Sequence, residues 1–323
     1  MQAVVRRTAK LTDRPFGVDL ILPARLEQTG ARVSDVAARL PQQHLDVARR
    51  IASDLGVEPR ASDGRGDRQA LGTDAEAQIG VVVEEQVPVF VGALGTPAAF
   101  AARLHDAGIM VMSVVGSTKQ AVQVARDGAD VVIAQGTEGG GHTGHVGTLA
   151  LLPQVLDTVD VPVVAAGGIG DGRGLAAALV MGCEGVWVGT RFLATLESGL
   201  ADWQKAELVA AADQSPVISR AYTGKRFRLL PSRWTEQEQA EVRRSGCRSS
   251  RSSPGWCSVG SPPSRRQARR VDERRRQHRQ VARRDPPGGD RRPADGRRHG
   301  RPPHRTPVTV ATCYLEPCHT AAC

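Results

Sequence analysis

The chain has 323 residues, 40% of them hydrophobic, and a formal net charge of +9. That length suits one α/β domain of about 250 residues with a surplus, and no apolar run approaches the roughly 18 residues of a membrane span. The basicity is confined to one segment: from Arg243 onward there are 20 Arg against six acidic residues, a balance of +14 that leaves residues 1–242 at −5. A nucleic-acid reading of the whole-chain charge therefore does not extend to the body of the protein.

The N-terminal residues 1–13 read as the end of a helix, with Val4, Val5, Ala9 and Leu11 loosely on one side. Pro15 stops it, and Phe16–Leu22 reads as a strand with Asp19 in its middle. An acid inside an apolar strand marks an edge or a functional end. Ser34–Leu40 and His44–Leu55 are predicted helices, residues 58–73 a polar loop, and Ala75–Glu85 a helix. Pro88–Leu94 is a predicted strand. Thr96 and Pro97 then form an N-cap and first helical residue, opening a helix to Ala107 that Gly108 ends. Ile109–Val115 is the next strand, and Ser117 caps a helix running to about Asp127.

The stretch from Ala129 to Gly144 organises the rest. Val131, Val132 and Ile133 form a short β-branched run suited to a strand covered on both faces. It leads into a loop, expected to be flexible, that carries Gly136, Gly139, Gly140, Gly141 and Gly144 around Gln135, Glu138 and His142. Glycines let backbone approach a ligand closely, so an imidazole over a glycine bed at a strand end suits a small-molecule site. Leu149–Asp157 follows as a helix, and Val161–Ala166 as a strand ending at Gly167-Gly168. Arg173–Met181 is an Ala-rich helix, and Gly185–Val188 a strand ending at Gly189-Thr190.

Six strands alternating with helices predict an α/β fold with a parallel sheet. Two successive strands that end in glycines before helices match the phosphate-binding loops after strands seven and eight of a (β/α)8 barrel. On that count the His142 loop follows strand six, and two βα units are expected to lie upstream of Met1. A dinucleotide fold is the rival, since Gly168, Gly170 and Gly172 follow a strand; the third glycine comes one residue early, and Val188 stands where a ribose-binding acid is expected. His142 and His145 lack a third ligand at metal spacing, so no metal is expected.

The segments AQGTEGGGHTG, LLPQVLDTVDVPVVAAGGIGDGRGLAAAL and GVWVGTRFLATLES together resemble the nitronate monooxygenase family, FMN enzymes on a TIM barrel. PFGVDLILP and AYTGKRFRLLPSRW fit as well. The resemblance implies that His142 is the catalytic base beside the flavin ring, and that Gln135 and Gly140 contact the flavin. It implies that Gly167, Gly168, Gly189 and Thr190 meet the FMN phosphate, with Asp19, Trp187 and Val188 also at the cofactor. Asp19 stands where the family commonly has Asn, and Trp187 where Gln is usual. The implied substrates are a nitroalkane or nitronate and O2. Alternatives are an NAD(P)H-dependent FMN reductase of the enoyl-acyl-carrier-protein or quinone reductase kind, and an inactive member of the family.

The expected organisation is thus an incomplete FMN-binding TIM (β/α)8-type barrel over residues 1–242, lacking its first two βα units, and a basic, disordered tail over 243–323. The tail is rich in Arg, Pro, Gly and Ser and has too few large apolar residues for a core. A frame-shifted translation of a GC-rich gene accounts for it better than an arm for nucleic acid. Only Cys183 of six cysteines precedes the tail, which suits a reduced, cytoplasmic body. The partners expected are small molecules, with no membrane; the sequence leaves the oligomeric state open.

Overall fold

The computed structural model describes residues 1–22, 42–56, 75–220, 225–237 and 308–311. The strands are β1 (Gly17–Ile21), β2 (Val89–Ala93), β3 (Met110–Val115), β4 (Val131–Gln135), β5 (Gly141–His142), β6 (Val163–Ala166), β7 (Gly185–Val188), β8 (Val217–Ser219), β9 (Phe227–Leu229) and β10 (Val308–Ala311). The helices are α1 (Gln2–Leu11), α2 (Gln42–Asp54), α3 (Ala75–Glu84), α4 (Ala101–Asp106), α5 (Thr118–Arg126), α6 (Thr148–Leu156), α7 (Gly172–Met181), α8 (Thr190–Leu193) and α9 (Asp202–Ala210).

All six strands expected from the sequence are present, and they pair in parallel in the order β1-β2-β3-β4-β6-β7. Each crossover carries at least one helix, as a parallel connection requires. The result is an open arc of a (β/α)8 barrel. The predicted helix over Ser34–Leu40 and loop over 58–73 lie outside the described residues, as does most of 243–323. Within that last span Val308–Ala311 add a seventh parallel strand beside β7, with Val308 opposite Gly185 and Ala311 opposite Val188.

The period of two in the strands divides the side chains between two faces. Val18, Leu20, Phe90 and Val111 point to the convex side and pack with Val5, Ile79, Val82 and Leu104 of the helices. Val132, Ala134, Val163, Ala165 and Val186 do the same against Val124, Leu151, Leu152 and Val155. The other parity faces the concave side, where Val91, Met112, Ile133, Val164 and Ala166 form a separate apolar cluster. Every residue of β6 is buried, as expected of an inner strand covered on both faces.

Local signals set most helix ends. Ser117 accepts a hydrogen bond from Gln120 N at 3.3 Å, and Gly182 closes α7 at φ +106°. The helix expected from Pro97 is regular only from Ala101; before it, Phe100 N and Ala101 N both donate to Pro97 O, at 2.8 and 2.9 Å, in a turn. Thr96 turns its hydroxyl to Asp127, so it is held by the next helix end more than by its own backbone.

Asp19 is the exception to the apolar pattern. It pairs with Val91 in register, which puts it on the concave face, and its buried Oδ1 has no hydrogen-bond partner. Burial pushes its carboxyl up from the usual 3.8 to about 6. In the unfolded chain the group ionises near its ordinary value, so between these two pH values the folded state holds more protons. Stability from this group is full below the unfolded value and is lost as pH rises through about 6. Asp19→Asn removes that loss. Urea unfolding should show a gain on the order of 3 kcal/mol at about pH 8 and little gain at about pH 4; equal effects at both would contradict the assignment.

Candidate active site

The loop between β4 and α6 is packed, not loose as its five glycines suggest. Gly136 N donates to Ala166 O at 3.0 Å, Thr137 N to Val146 O at 2.8 Å and Gly139 N to Gly136 O at 3.1 Å. A methyl group on Gly136 would overlap Thr148 Oγ1, N and Cα. The glycine there is required by this close approach of α6.

Thr148 is the junction. Its hydroxyl lies 2.8 Å from Glu138 Oε2 and 3.0 Å from Gly167 O, while its N–H donates to the Glu138 carboxylate at 2.9 Å. Gly147 at the N-cap offers no side chain, so Glu138 supplies the acceptor that the first turn of α6 lacks. Burial opposes ionisation of Glu138, but backbone and Thr148 hydrogen bonds, with Arg228 nearby, outweigh it and hold the carboxyl below its usual range. Glu138 is therefore an ionised anchor of the rim.

His142 sits on β5, which pairs antiparallel with β9, itself paired with β8. This three-stranded sheet has no counterpart in the sequence reading. The His142 ring is half-buried and meets Phe227 edge to face, with centroids 4.9 Å apart and planes at 79°. Gln135 Nε2 donates to His142 O at 2.8 Å, Thr143 N to Arg226 O at 3.2 Å, and Arg228 Nε to Thr137 O at 3.0 Å. Burial first, and the positive charge of Lys225 second, lower the imidazole pKa from its ordinary value. The side chain is thus a neutral base at neutral pH.

The remaining sequence-derived residues converge on the same end of the sheet. Gln135, Ala166 and Trp187 lie in one register row on the concave face, the face that also holds Asp19. Val188 has the opposite parity and packs in the convex core, so only its backbone borders the site. Gly140 approaches Thr190, whose Oγ1 would lie 3.0 Å from a methyl group on the glycine; the loops after β4 and β7 thereby touch. Gly167 and Gly168 take φ of +93° and +70°, a left-handed turn that glycine adopts at little steric cost and that packs against Gly136, Gly139 and Glu138. Gly170, Gly172 and Gly189 face open space.

The N-terminus of α7 is less available to an anion than the sequence suggests. Asp171 caps it, accepting from Arg173 N at 2.9 Å and pairing with the Arg173 side chain at 2.6 Å. The ion pair, led by the side-chain hydrogen bond, holds the Asp171 carboxyl down at about 2. An anion at these loops would meet the Gly167-Gly168 turn and Gly189, with Arg173 already paired. The residues present fit a flat, mostly apolar group with an anionic end: an apolar concave face, a half-buried indole, an orphaned carboxyl oxygen and open space beside Gly170, Gly172 and Gly189.

The sequence alone does not single out Thr148, Phe227 and Arg228. A Thr opening an apolar helical run was a usable signal; the pairing of β5 with β9 depends on residues more than 80 positions apart and has no local signature.

A sequence model of the family described as nitronate monooxygenase matches residues 1–253. The chain belongs to the nitronate monooxygenase family. It is 49% identical over 162 residues to (3aS,4S,5R,7aS)-5-hydroxy-7a-methyl-1-oxo-octahydro-1H-indene-4-carboxyl-CoA dehydrogenase of Rhodococcus jostii, covering 50% of this chain and 46% of that protein. It is 31% identical over 239 residues to a protein of Staphylococcus aureus named "Probable nitronate monooxygenase", covering 71% of this chain and 64% of that one. Among solved structures, the nitroalkane oxidase of Streptomyces ansochromogenes superposes with a TM-score of 0.62 at 32% identity, over 74% of this chain and 67% of that chain. The chain thus spans between about half and two thirds of these relatives.

The glycines are distinguishable by substitution. Gly136→Ala should destabilise the fold by about 1–3 kcal/mol in urea unfolding, because Thr148 cannot withdraw without breaking its bonds to Glu138 and Gly167. Gly189→Ala, with open space around it, should change stability by less than about 0.5 kcal/mol. Equal tolerance of both would contradict the packing described for the loop.

Proposed function

We propose that this protein is an FMN-dependent oxidase of carbon acids, acting on nitroalkanes and their nitronates with O2 to give a carbonyl compound and nitrite. The observation that carries the reading is a half-buried imidazole, kept neutral by burial, at the rim of an apolar concave face bordered by two glycine turns. Family membership supports it.

FMN would lie with its ring against the concave face, beside Gln135, Trp187 and Asp19, and its phosphate toward Gly167, Gly168, Gly189 and Thr190. Gly140 and the backbone at Val188 would border it. When bound, the flavin supplies two-electron oxidation and reactivity with O2. The protein's own part is acid–base chemistry and positioning. His142 accepts the proton from the carbon next to the nitro group; the C–H bonding pair passes into the nitro group, giving the nitronate. Phe227 fixes the plane of the imidazole, and Gln135 fixes the backbone that carries it. The half-buried setting lowers the imidazole basicity but keeps it unprotonated at working pH, which general-base catalysis requires.

A second reading shares the same first step. A thioester also acidifies its α-carbon, and the Rhodococcus relative is named as a dehydrogenase of a carboxyl-CoA. The favouring observation is the run Lys225-Arg226-Phe227-Arg228 leading into and along β9 beside His142, a basic border suited to the phosphates of CoA. Anaerobic assays with nitroethane, acyl-CoA and NADH as alternative reductants of the bound flavin distinguish these readings and the NAD(P)H-dependent reductase.

His142→Ala should lower turnover of a neutral nitroalkane by at least about 100-fold while sparing a preformed nitronate; equal losses on both would remove the proton-abstraction role. For the neutral substrate, kcat/KM should rise with pH as the imidazole loses its proton and level off below the ordinary histidine value of about 6.5. A profile still rising at about pH 8 would contradict the neutral-base assignment.

A further inference from the structure

Asp19 is a half-buried acid on the concave face, with its Oδ1 fully buried. We propose that Asp19 makes ligand binding to this face proton-linked: a flat ligand that closes over the carboxyl takes it in its neutral form, and the face thereby selects against negative charge at that point. The inference rests on the flavin reading above and goes beyond it by assigning a protonation state and a specificity to one residue.

The geometry carries it. Asp19 is in register with Val91, and the concave neighbours on β2 are Val89, Val91 and Ala93, none ionisable. Beyond them on β3 the same face carries Met110, Met112 and Val114. The charged pairs Arg6–Glu85 and Arg103–Glu76 belong to α1, α3 and α4 and the turn after α3, the helices that cover the convex side. Among the described residues, then, no cation faces the carboxyl, and Oδ1 is buried with no hydrogen-bond partner. Burial alone already raises its pKa. A ring laid over it removes the remaining solvent and brings no positive charge, so the cost of the ionised form increases and the bound state favours the proton. The neutral acid can then donate a hydrogen bond to a ring acceptor, which the carboxylate cannot.

Riboflavin is the probe, because it carries the ring and lacks the titrating phosphate. Its affinity for the full-length wild-type chain, read by fluorescence quenching, should fall about tenfold per pH unit above neutrality. Asp19→Asn should bind with an affinity that changes less than about threefold over the same range. Calorimetry of the wild type at about pH 8, in two buffers of different ionisation enthalpy, should show uptake of about one proton per riboflavin. That proton count decides the matter even if the variant fails to fold. A wild-type affinity independent of pH, no proton uptake, or a slope that survives in Asp19→Asn would overturn the inference. Absence of riboflavin binding by both folded proteins at every pH would instead overturn the flavin reading, and this inference with it.

Discussion

The contact on which the site depends is the junction of Gly136, Glu138 and Gly167 around Thr148. One hydroxyl lies within hydrogen-bond reach of a carboxylate from the β4 loop and a carbonyl from the β6 loop. The same residue's N–H begins α6. Three consecutive elements of the barrel arc are thus tied at the C-terminal end of the sheet, where parallel α/β folds place their ligands. The tie leaves the β4 loop no side-chain space at Gly136, and it fixes the path of the backbone that leads to His142. A side chain to be held in place on a glycine-rich segment needs such bracing, since glycine alone gives no rigidity.

The alternation of the strands then decides which residues can serve. Asp19, Gln135 and Trp187 share the concave parity, while Val18, Leu20 and Val188 serve the convex core. Low local dielectric acts on Asp19 and His142 in the same sense. It raises the Asp19 carboxyl and lowers the His142 imidazole, moving each toward its neutral form. A site that penalises charge at two separate points suits a neutral, carbon-bound acid as the group to be deprotonated and a flat apolar ring as its neighbour.

Much of this was legible in the chain. The six parallel strands were readable because each is a short apolar run carrying Val or Ile and bounded by turn residues, and the glycines after β4, β6 and β7 marked the ligand side. His142, Gln135, Gly140, Gly167, Gly168, Gly189 and Thr190 do come together. The β5-β9-β8 sheet was not legible, because strands of two or three residues carry no period and their pairing is long-range. Five glycines make the β4 loop read as flexible, because glycine content says nothing of what fills the space beside it. The α7 N-terminus reads as an anion site in sequence, but Asp171 caps it. Val308–Ala311 form a strand within a segment whose composition shows no core pattern, and only the open edge of β7 accounts for their pairing.

The proposed function requires that this arc of barrel hold FMN with His142 at its rim. The most direct test is the visible absorption spectrum of the purified 323-residue chain on stepwise addition of FMN. Retention of flavin through gel filtration at one equivalent, with shifted and structured absorption bands, is the predicted result. A spectrum identical to that of free FMN, with all the flavin eluting apart from a folded chain, would contradict it.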